Sequence, residues 1–377
     1  MFYGRATYPA CRALPEAGWR LSLKGAGNGV RVRLARESTP EVQVEERDKH
    51  LRSDSGGSLE RREFLKKAGR WGGALLLAIY GGTVASCARK VTSPVSSMTA
   101  PSTSPPPASS SGAADLAIAQ GGDPGDMARR AVQALGGMGR FVKAGNTVLI
   151  KPNASFPDGL AAGTATNPAI VAAVVSMCRE AGAGRVTVMD HCLRGVASQT
   201  MEANGIAAAA KASGAEVVAY GAADTSGGIL ATVPGGTKTV SVYPEALKAD
   251  VLITVPKAKH HGSAVLSLGM KNLIGLTTNM SRVHDDDLNK GIADLAALFK
   301  PKLSVVDATV VLTTNGPGGP GATMSPNMVI ASPDFVAADS FACSLFGKTA
   351  ADVGYVSQAA AMGLGQTDYK ALKTAKV

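Results

Sequence analysis

From about residue 113 onward, short apolar runs rich in Val and Ile alternate with alanine-rich stretches of helical spacing. The runs predict strands at residues 116–119, 147–151, 185–190, 216–220, 251–255, 304–307 and 328–331. The stretches between them predict helices at 124–135, 168–181, 197–204, 288–299 and 335–346. Strands that are apolar throughout need cover on both faces, as in a parallel sheet packed between helices. The fold class is therefore α/β, a mostly parallel sheet covered by helices. Residues 227–242 break the rhythm and read as a small β-hairpin insertion turning near Pro234-Gly235-Gly236, which leaves room for a two-lobed arrangement.

Upstream of residue 113 the pattern is of another kind. Residues 1–55 carry many arginines without a sustained apolar repeat and read as a leader or a mis-assigned start, outside any fold argument. Residues 56–86 hold Arg61-Arg62, then Glu63-Phe64-Leu65, then an apolar stretch from Trp71 to Ser86. That order resembles a twin-arginine export signal. The stretch is shorter than the ~20 apolar residues of a spanning helix and is interrupted by Gly72, Gly73, Gly81 and Gly82. Val84-Ala85-Ser86-Cys87 resembles a lipobox, with Cys87 the site of lipidation. Residues 87–112 form a Ser/Thr/Pro-rich tether including Pro105-Pro106-Pro107, and residues 113–377 form the α/β domain. The expected partners are the twin-arginine translocase during export and a membrane through the lipid. The expected place is the periplasm or the cell surface.

Charge changes this picture little. Of 39 Lys/Arg and 29 Asp/Glu, 15 and 9 lie at or before Ser86, leaving 24 and 20 in the remainder. No basic run is dense enough for a nucleic-acid footprint, so nucleic acid is excluded as the expected partner. Aromatic residues make up 5% of the chain, too few for a large interface anchored by Tyr or Trp. The five cysteines lack any C-x-x-C pair, which leaves no iron–sulfur or zinc-ribbon spacing. Cys178 and Cys192 are open to two readings, a disulfide in an oxidising compartment or buried thiols acting as small apolar residues.

Ligands of such sheets collect beyond the carboxyl ends of the strands. The residues there are Lys151-Pro152-Asn153, Asp190-His191, the segment from Pro256 through Lys257, Lys259, His260 and His261, and Asp307. Lys271-Asn272 follows closely. Lysines set within apolar sequence suit a carboxylate or phosphate. Lys151, Asn153, Lys257, Lys259, Asn272 and Asp307 are therefore the candidate ligand-binding residues, and the expected partner is an anionic small molecule. Lys271, His260 and Asp190 are the candidate catalytic residues, since a lysine crowded by other lysines has a lowered pKa and can serve as base or nucleophile. His260, His261 and His284, the last leading into Asp285-Asp286-Asp287, are candidate ligands of a divalent metal. The same carboxylate run suits a helix amino terminus before Leu288. Asn315-Gly316-Pro317-Gly318-Gly319-Pro320-Gly321 lacks the Lys-Ser/Thr of a phosphate loop and reads as a lid or a turn. No G-x-S-x-G elbow is present.

The segments Val148-Leu149-Ile150-Lys151-Pro152-Asn153, Thr166-Asn167-Pro168, Pro256 to His261, Lys271-Asn272-Leu273-Ile274-Gly275, Asp307 with Gly316-Pro317, and Ser332-Pro333-Asp334 with Ala338-Asp339 occur in an order that resembles the domain of unknown function 362 family. The resemblance runs from about residue 115 to the carboxyl end. It implies that the Lys-Pro-Asn, Lys-x-Lys-His and Lys-Asn segments are the marked positions, without naming a reaction. Some members of that family carry an appended iron–sulfur domain; this chain has no such cysteines.

Overall fold

The computed structural model describes residues 112–234, 238–281, 283 and 287–377, together with the backbone of a hairpin upstream. That hairpin pairs Trp19–Gly25 with Val30–Arg36 in antiparallel register and belongs to an amino-terminal unit, Met1–Ala100. The alternation of Leu21 and Leu23, then Val30, Val32 and Leu34, with polar residues supplies a period of two that the reading of residues 1–55 overlooked. Arg61, Arg62 and Cys87 lie outside the described residues, as do His284, Asp285, Asp286 and the tip of the hairpin insertion. Among the described residues no helix is long and apolar enough to cross a membrane.

The second unit, Pro101–Val377, is built on an eight-stranded sheet. Its strands are β1 (Leu116–Gln120), β2 (Thr147–Pro152), β3 (Arg185–His191), β4 (Glu216–Tyr220), β5 (Val251–Val255), β6 (Leu303–Ala308), β7 (Met328–Ser332) and β8 (Thr374–Lys376). Across the sheet they run β8-β1-β7-β6-β5-β2-β3-β4. β7 is antiparallel to both neighbours, β6 and β1, and every other pair is parallel. All seven predicted strands are present. The eighth, β8, is a short polar edge strand with no apolar pattern to announce it.

Alternation along each strand feeds two cores, because successive side chains leave opposite faces. Val148 and Ile150 of β2, with Val251, Ile253 and Val255 of β5, enter one core, while Leu149 and Leu252 enter the other. The first core is closed by α1 (Pro124–Ala134), α2 (Pro168–Glu180), α3 (Ala197–Ala203) and α4 (Ile206–Ala212). On the other face lie α5 (Pro244–Lys248), α6 (Gly269–Asn272), α7 (Leu288–Phe299), α8 (Phe335–Ser344) and α9 (Gly354–Ala361). The predicted α/β architecture is thus the observed one, and Cys178, Cys192 and Cys343 are buried free thiols within it.

Local chemistry starts the long helices. Asp123, Asn167, Asp287 and Asp334 are amino-terminal caps whose side chains accept backbone N–H bonds, and Pro124 and Pro168 open the first turns of α1 and α2. Asp287 therefore fills the capping role that the carboxylate run offered. Between residues 227 and 242, Ile229–Thr232 pairs with Thr239–Val242 as the expected hairpin. A second small hairpin, Lys259–His261 with Val265–Ser267, was not anticipated, and it decides the geometry beyond β5.

Candidate functional site

The carboxyl ends of β2, β3, β5 and β6 do come together, and buried cross-links hold them. Thr166 joins two of them, its Oγ accepting from the Asn153 N–H at 2.8 Å and donating to the Val255 carbonyl at 2.8 Å. Between β5 and β6, Lys257 pairs with Asp307 at 2.9 Å, both side chains fully enclosed. Asp307 also accepts from the Asn167 N–H at 2.7 Å and from Thr309 through N–H and Oγ. Lys257 and Asp307 therefore satisfy each other and do not line the cavity in front of them. The expectation that both contact ligand is corrected: here they are a structural clamp.

The cavity has a volume of about 90 Å³. Several waters fit, since one needs roughly 10–15 Å³ on this measure. Three lysines line it, Lys151, Lys259 and Lys271, with Asn153, Asn272, His261 and Asp190, the one carboxylate among the described residues that line it. Their states differ. Lys151 Nζ reaches Asp190 Oδ1 at 2.5 Å, the Pro152 carbonyl at 2.7 Å and Asn272 Oδ1 at 3.1 Å. Three acceptors exhaust the three hydrogens of an ammonium. Asp190 also accepts from the backbone N–H groups of His191 (2.7 Å) and Ala154 (2.5 Å). It holds Lys151 in place through Oδ1, while Oδ2 takes the Ala154 N–H.

Gly275 explains why this pair can lie so deep. A Cβ on it would stand 2.6 Å from Asp190 Oδ1 and 2.8 Å from Lys151 Cε, closer than real contacts allow. Asn272 completes the support, donating from Nδ2 to the Lys151 carbonyl and to Thr254 Oγ1. Its helix is anchored in turn by Asp339, which accepts from the Gly269 and Met270 N–H groups at 2.8 and 2.9 Å. Burial pushes the Asp339 carboxyl up to about 7.

Lys259 lies under the Phe156 ring, 4.8 Å from its centroid, and donates to the Thr164 carbonyl at 2.5 Å and to Asn153 Oδ1 at 3.2 Å. Burial pulls its pKa down to about 7, against the favourable charge of Asp190 and with the repulsion of Lys271, Lys257 and Lys151. Lys271, also buried, has no acceptor within hydrogen-bonding distance among the described residues, and its amine opens on the cavity. Burial, then the charge of Lys151, brings it down to about 8.

The unanticipated hairpin sorts the two histidines. Adjacent strand residues leave opposite faces. His261 shares the side of Lys259 and lines the cavity, whereas His260 turns outward and its Nδ1 accepts from the Gly316 N–H at 3.0 Å. Of the two, it is His261 and not the expected His260 that lines the cavity, its Nδ1 accepting from the N–H groups of Ser263 and Ala264. Of the three proposed metal ligands, His260 and His261 diverge, and His284 lies outside the described residues. Among the described residues no three His, Cys, Asp or Glu side chains gather as a metal site. The glycine-rich loop packs over the site as a cover: Pro317 lines the cavity, and Gly318 sits against Phe156. Phe156 and Thr164 had gone unremarked in the sequence, and Gly275 was noted only as the end of the segment Lys271 to Gly275. The alternation within Lys259-His260-His261 was the one signal available for choosing between the histidines.

A model of the domain of unknown function DUF362 matches residues 148–344, a span that contains every lysine of this cavity. The chain belongs to the DUF362 family. Over 247 residues it is 30% identical to a thylakoid-associated protein of Synechocystis, covering 63% of this chain and 75% of that protein. Two solved structures are similar at the level of fold. One is the lactate racemase apoprotein from Thermoanaerobacterium thermosaccharolyticum, with 14% identity and a TM-score of 0.38. The other is a structural-genomics target from Thermotoga maritima, with 11% identity and a TM-score of 0.34. Each match takes in 60% of this chain, and the chain spans 56% and 60% of those two chains.

Proposed function

We propose that the cavity binds a small carboxylate- or phosphate-bearing molecule and that the protein is an enzyme acting on it, with Lys271 as the working group. One observation carries this reading: three lysines line one small cavity whose only carboxylate among the described residues is already committed to Lys151. The uncompensated positive charge calls for an anionic ligand, because a buried ammonium without a counter-charge is costly. Lys151 is committed to Asp190, Pro152 and Asn272 and forms a fixed wall, while Lys259, with two acceptors for three hydrogens, and Asn153 stand beside Lys271 for recognition.

The test is thermal unfolding with phosphate, oxalate or pyruvate at constant ionic strength. A ligand at 100 times its Kd stabilises by about 2.7 kcal/mol. The midpoint is expected to rise with at least one of these anions and not with chloride, and Lys271→Ala should abolish the rise. An equal rise in Lys271→Ala, or none in the wild type, would sink the reading. Binding by the wild type with no conversion of any ligand would instead favour a non-catalytic solute-binding protein.

The same reading places the domain outside the cytoplasm, exported through Arg61-Arg62, lipidated at Cys87 and held off a membrane by the tether at 87–112. More than one acyl chain makes such an anchor stable. The Synechocystis relative is named as thylakoid-associated. In a bacterial host, Cys87→Ser should move the protein from the membrane fraction to the soluble exported fraction. Unchanged fractionation would rule out the lipid anchor.

A further inference from the structure

We infer that the small anion is a short carbonyl acid of the 2-oxo acid class, and that Lys271 joins it covalently as an imine. This rests on the anion-binding reading above and goes beyond it by naming the substrate class and the bond. The three lysines are not equivalent. Lys151 has three acceptors, and its charge is neutralised by Asp190. Lys259 has two acceptors and an aromatic face. Lys271 alone opens on the cavity without an acceptor among the described residues. It is enclosed beside an ammonium that repels its own proton, which favours the free amine and hence a nucleophile. Its lowered pKa, about 8, agrees with that placement.

The neighbours supply the rest. A carboxylate on the carbon next to the carbonyl would sit against Lys259, which has one hydrogen beyond its two acceptors, and the side chain of Asn153, with the carbonyl carbon toward Lys271 Nζ. The Nζ lone pair forms the C–N bond, the carbonyl π pair moves to oxygen, and one amine proton follows to give the carbinolamine. The C–O bond then breaks with uptake of one proton from water, and the oxygen leaves as water. Nothing is oxidised or reduced. The iminium left behind is positive and faces the substrate's own carboxylate, so the cavity gains the charge pair that Lys271 lacks. Such an intermediate makes bonds to the adjacent carbon easier to break, as an electron sink does.

The experiment is reductive trapping of the full chain with pyruvate or glyoxylate and sodium borohydride, read by intact mass and peptide mapping. The expected result is one reduced adduct per chain, on the peptide carrying Lys271, lost when excess phosphate competes. If pyruvate and phosphate raise the unfolding midpoint but no adduct appears at Lys271, the imine is wrong while anion binding stands. If neither anion moves the midpoint, both readings fall together. Adducts spread evenly over surface lysines, or unaffected by phosphate, would also overturn the imine.

Discussion

Asp307→Ala should be the most damaging single change in the domain, lowering stability by about 3–5 kcal/mol, the range for breaking a buried ion pair by removing one partner. Asp307 is fully buried and does four jobs: it neutralises Lys257, accepts from the Asn167 N–H, and accepts from both the N–H and the Oγ of Thr309. Alanine leaves an enclosed ammonium with only Thr309 Oγ, at 3.2 Å, as a partner. It also removes the acceptor for the N–H of Asn167, the cap of α2. The effect should be read in the midpoint of urea unfolding. A double change, Lys257→Met with Asp307→Leu, should recover much of the loss, because a well-packed apolar pair is often as stable as the ion pair it replaces. A loss below about 1 kcal/mol for the single variant, the scale of an exposed pair, would show that the clamp is not buried as described.

Lys271→Met should do the reverse, stabilising the fold at neutral pH while removing anion binding. The sign follows from linkage. The amine titrates at about 8 when folded against an ordinary 10.5. Below pH 8 it is charged in both states, and the folded protein carries the full cost of enclosing that charge. Between pH 8 and 10.5 the folded state binds fewer protons than the unfolded one, so stability rises with pH. Above 10.5 both states are neutral and the cost is gone. At about 1.36 kcal/mol per pKa unit, the gap corresponds to a penalty on the order of 3 kcal/mol. Methionine has a similar flexible stem and no charge, so the variant should exceed the wild type by that order at pH 7, and the difference should close toward pH 10.5. Denaturation curves at pH 7, 9 and 10.5 would read it. Other groups contribute to each curve: Lys259 adds a rise beginning near pH 7, and Asp339, pushed up to about 7, adds a fall complete by that pH. Asp339 is common to the two proteins and cancels in the difference, whereas Lys259, relieved of the repulsion of Lys271, is less destabilising in the variant and widens the gap at pH 7 in the same direction. A constant gap at all three pH values would mean that Lys271 is not titrating where its burial puts it. Protein that is more stable without its central lysine fits a site that trades stability for chemistry.

The eight-stranded sheet was largely legible because its strands are short, apolar throughout and separated by helices with amino-terminal caps. Residues such as Val148, Leu149 and Ile150 have one way to be buried together, between two layers of helices. In the second unit, the strands that escaped are those without a pattern long enough to carry a period. β8 is three residues at the polar edge, and Lys259–His261 is three residues of charged and imidazole side chains. Missing that last strand cost the choice between His260 and His261, since alternation applies only once a strand is known to be there.

Several family-marked positions prove to work on one another. Thr166 ties β2 to β5, Asn167 meets Asp307, and Asp339 holds the start of α6. From residue types alone these polar positions look like candidates for ligand contact, because a buried Asp or Lys reads the same whether its partner is a neighbour or a substrate.

Hydrophobic order along the chain was enough for the α/β class, the nearly parallel sheet and the placing of lysines at strand ends, because burial of apolar strands is a local requirement repeated at each one. Which lysine stays uncompensated is another kind of question. Lys151, Lys257, Lys259 and Lys271 are chemically identical in the sequence, and only their partners, brought from residues as far apart as 190 and 307, separate the neutralised pairs from the amine that opens on the cavity. Charge compensation is a property of distances between strands, and those exist only in the folded domain.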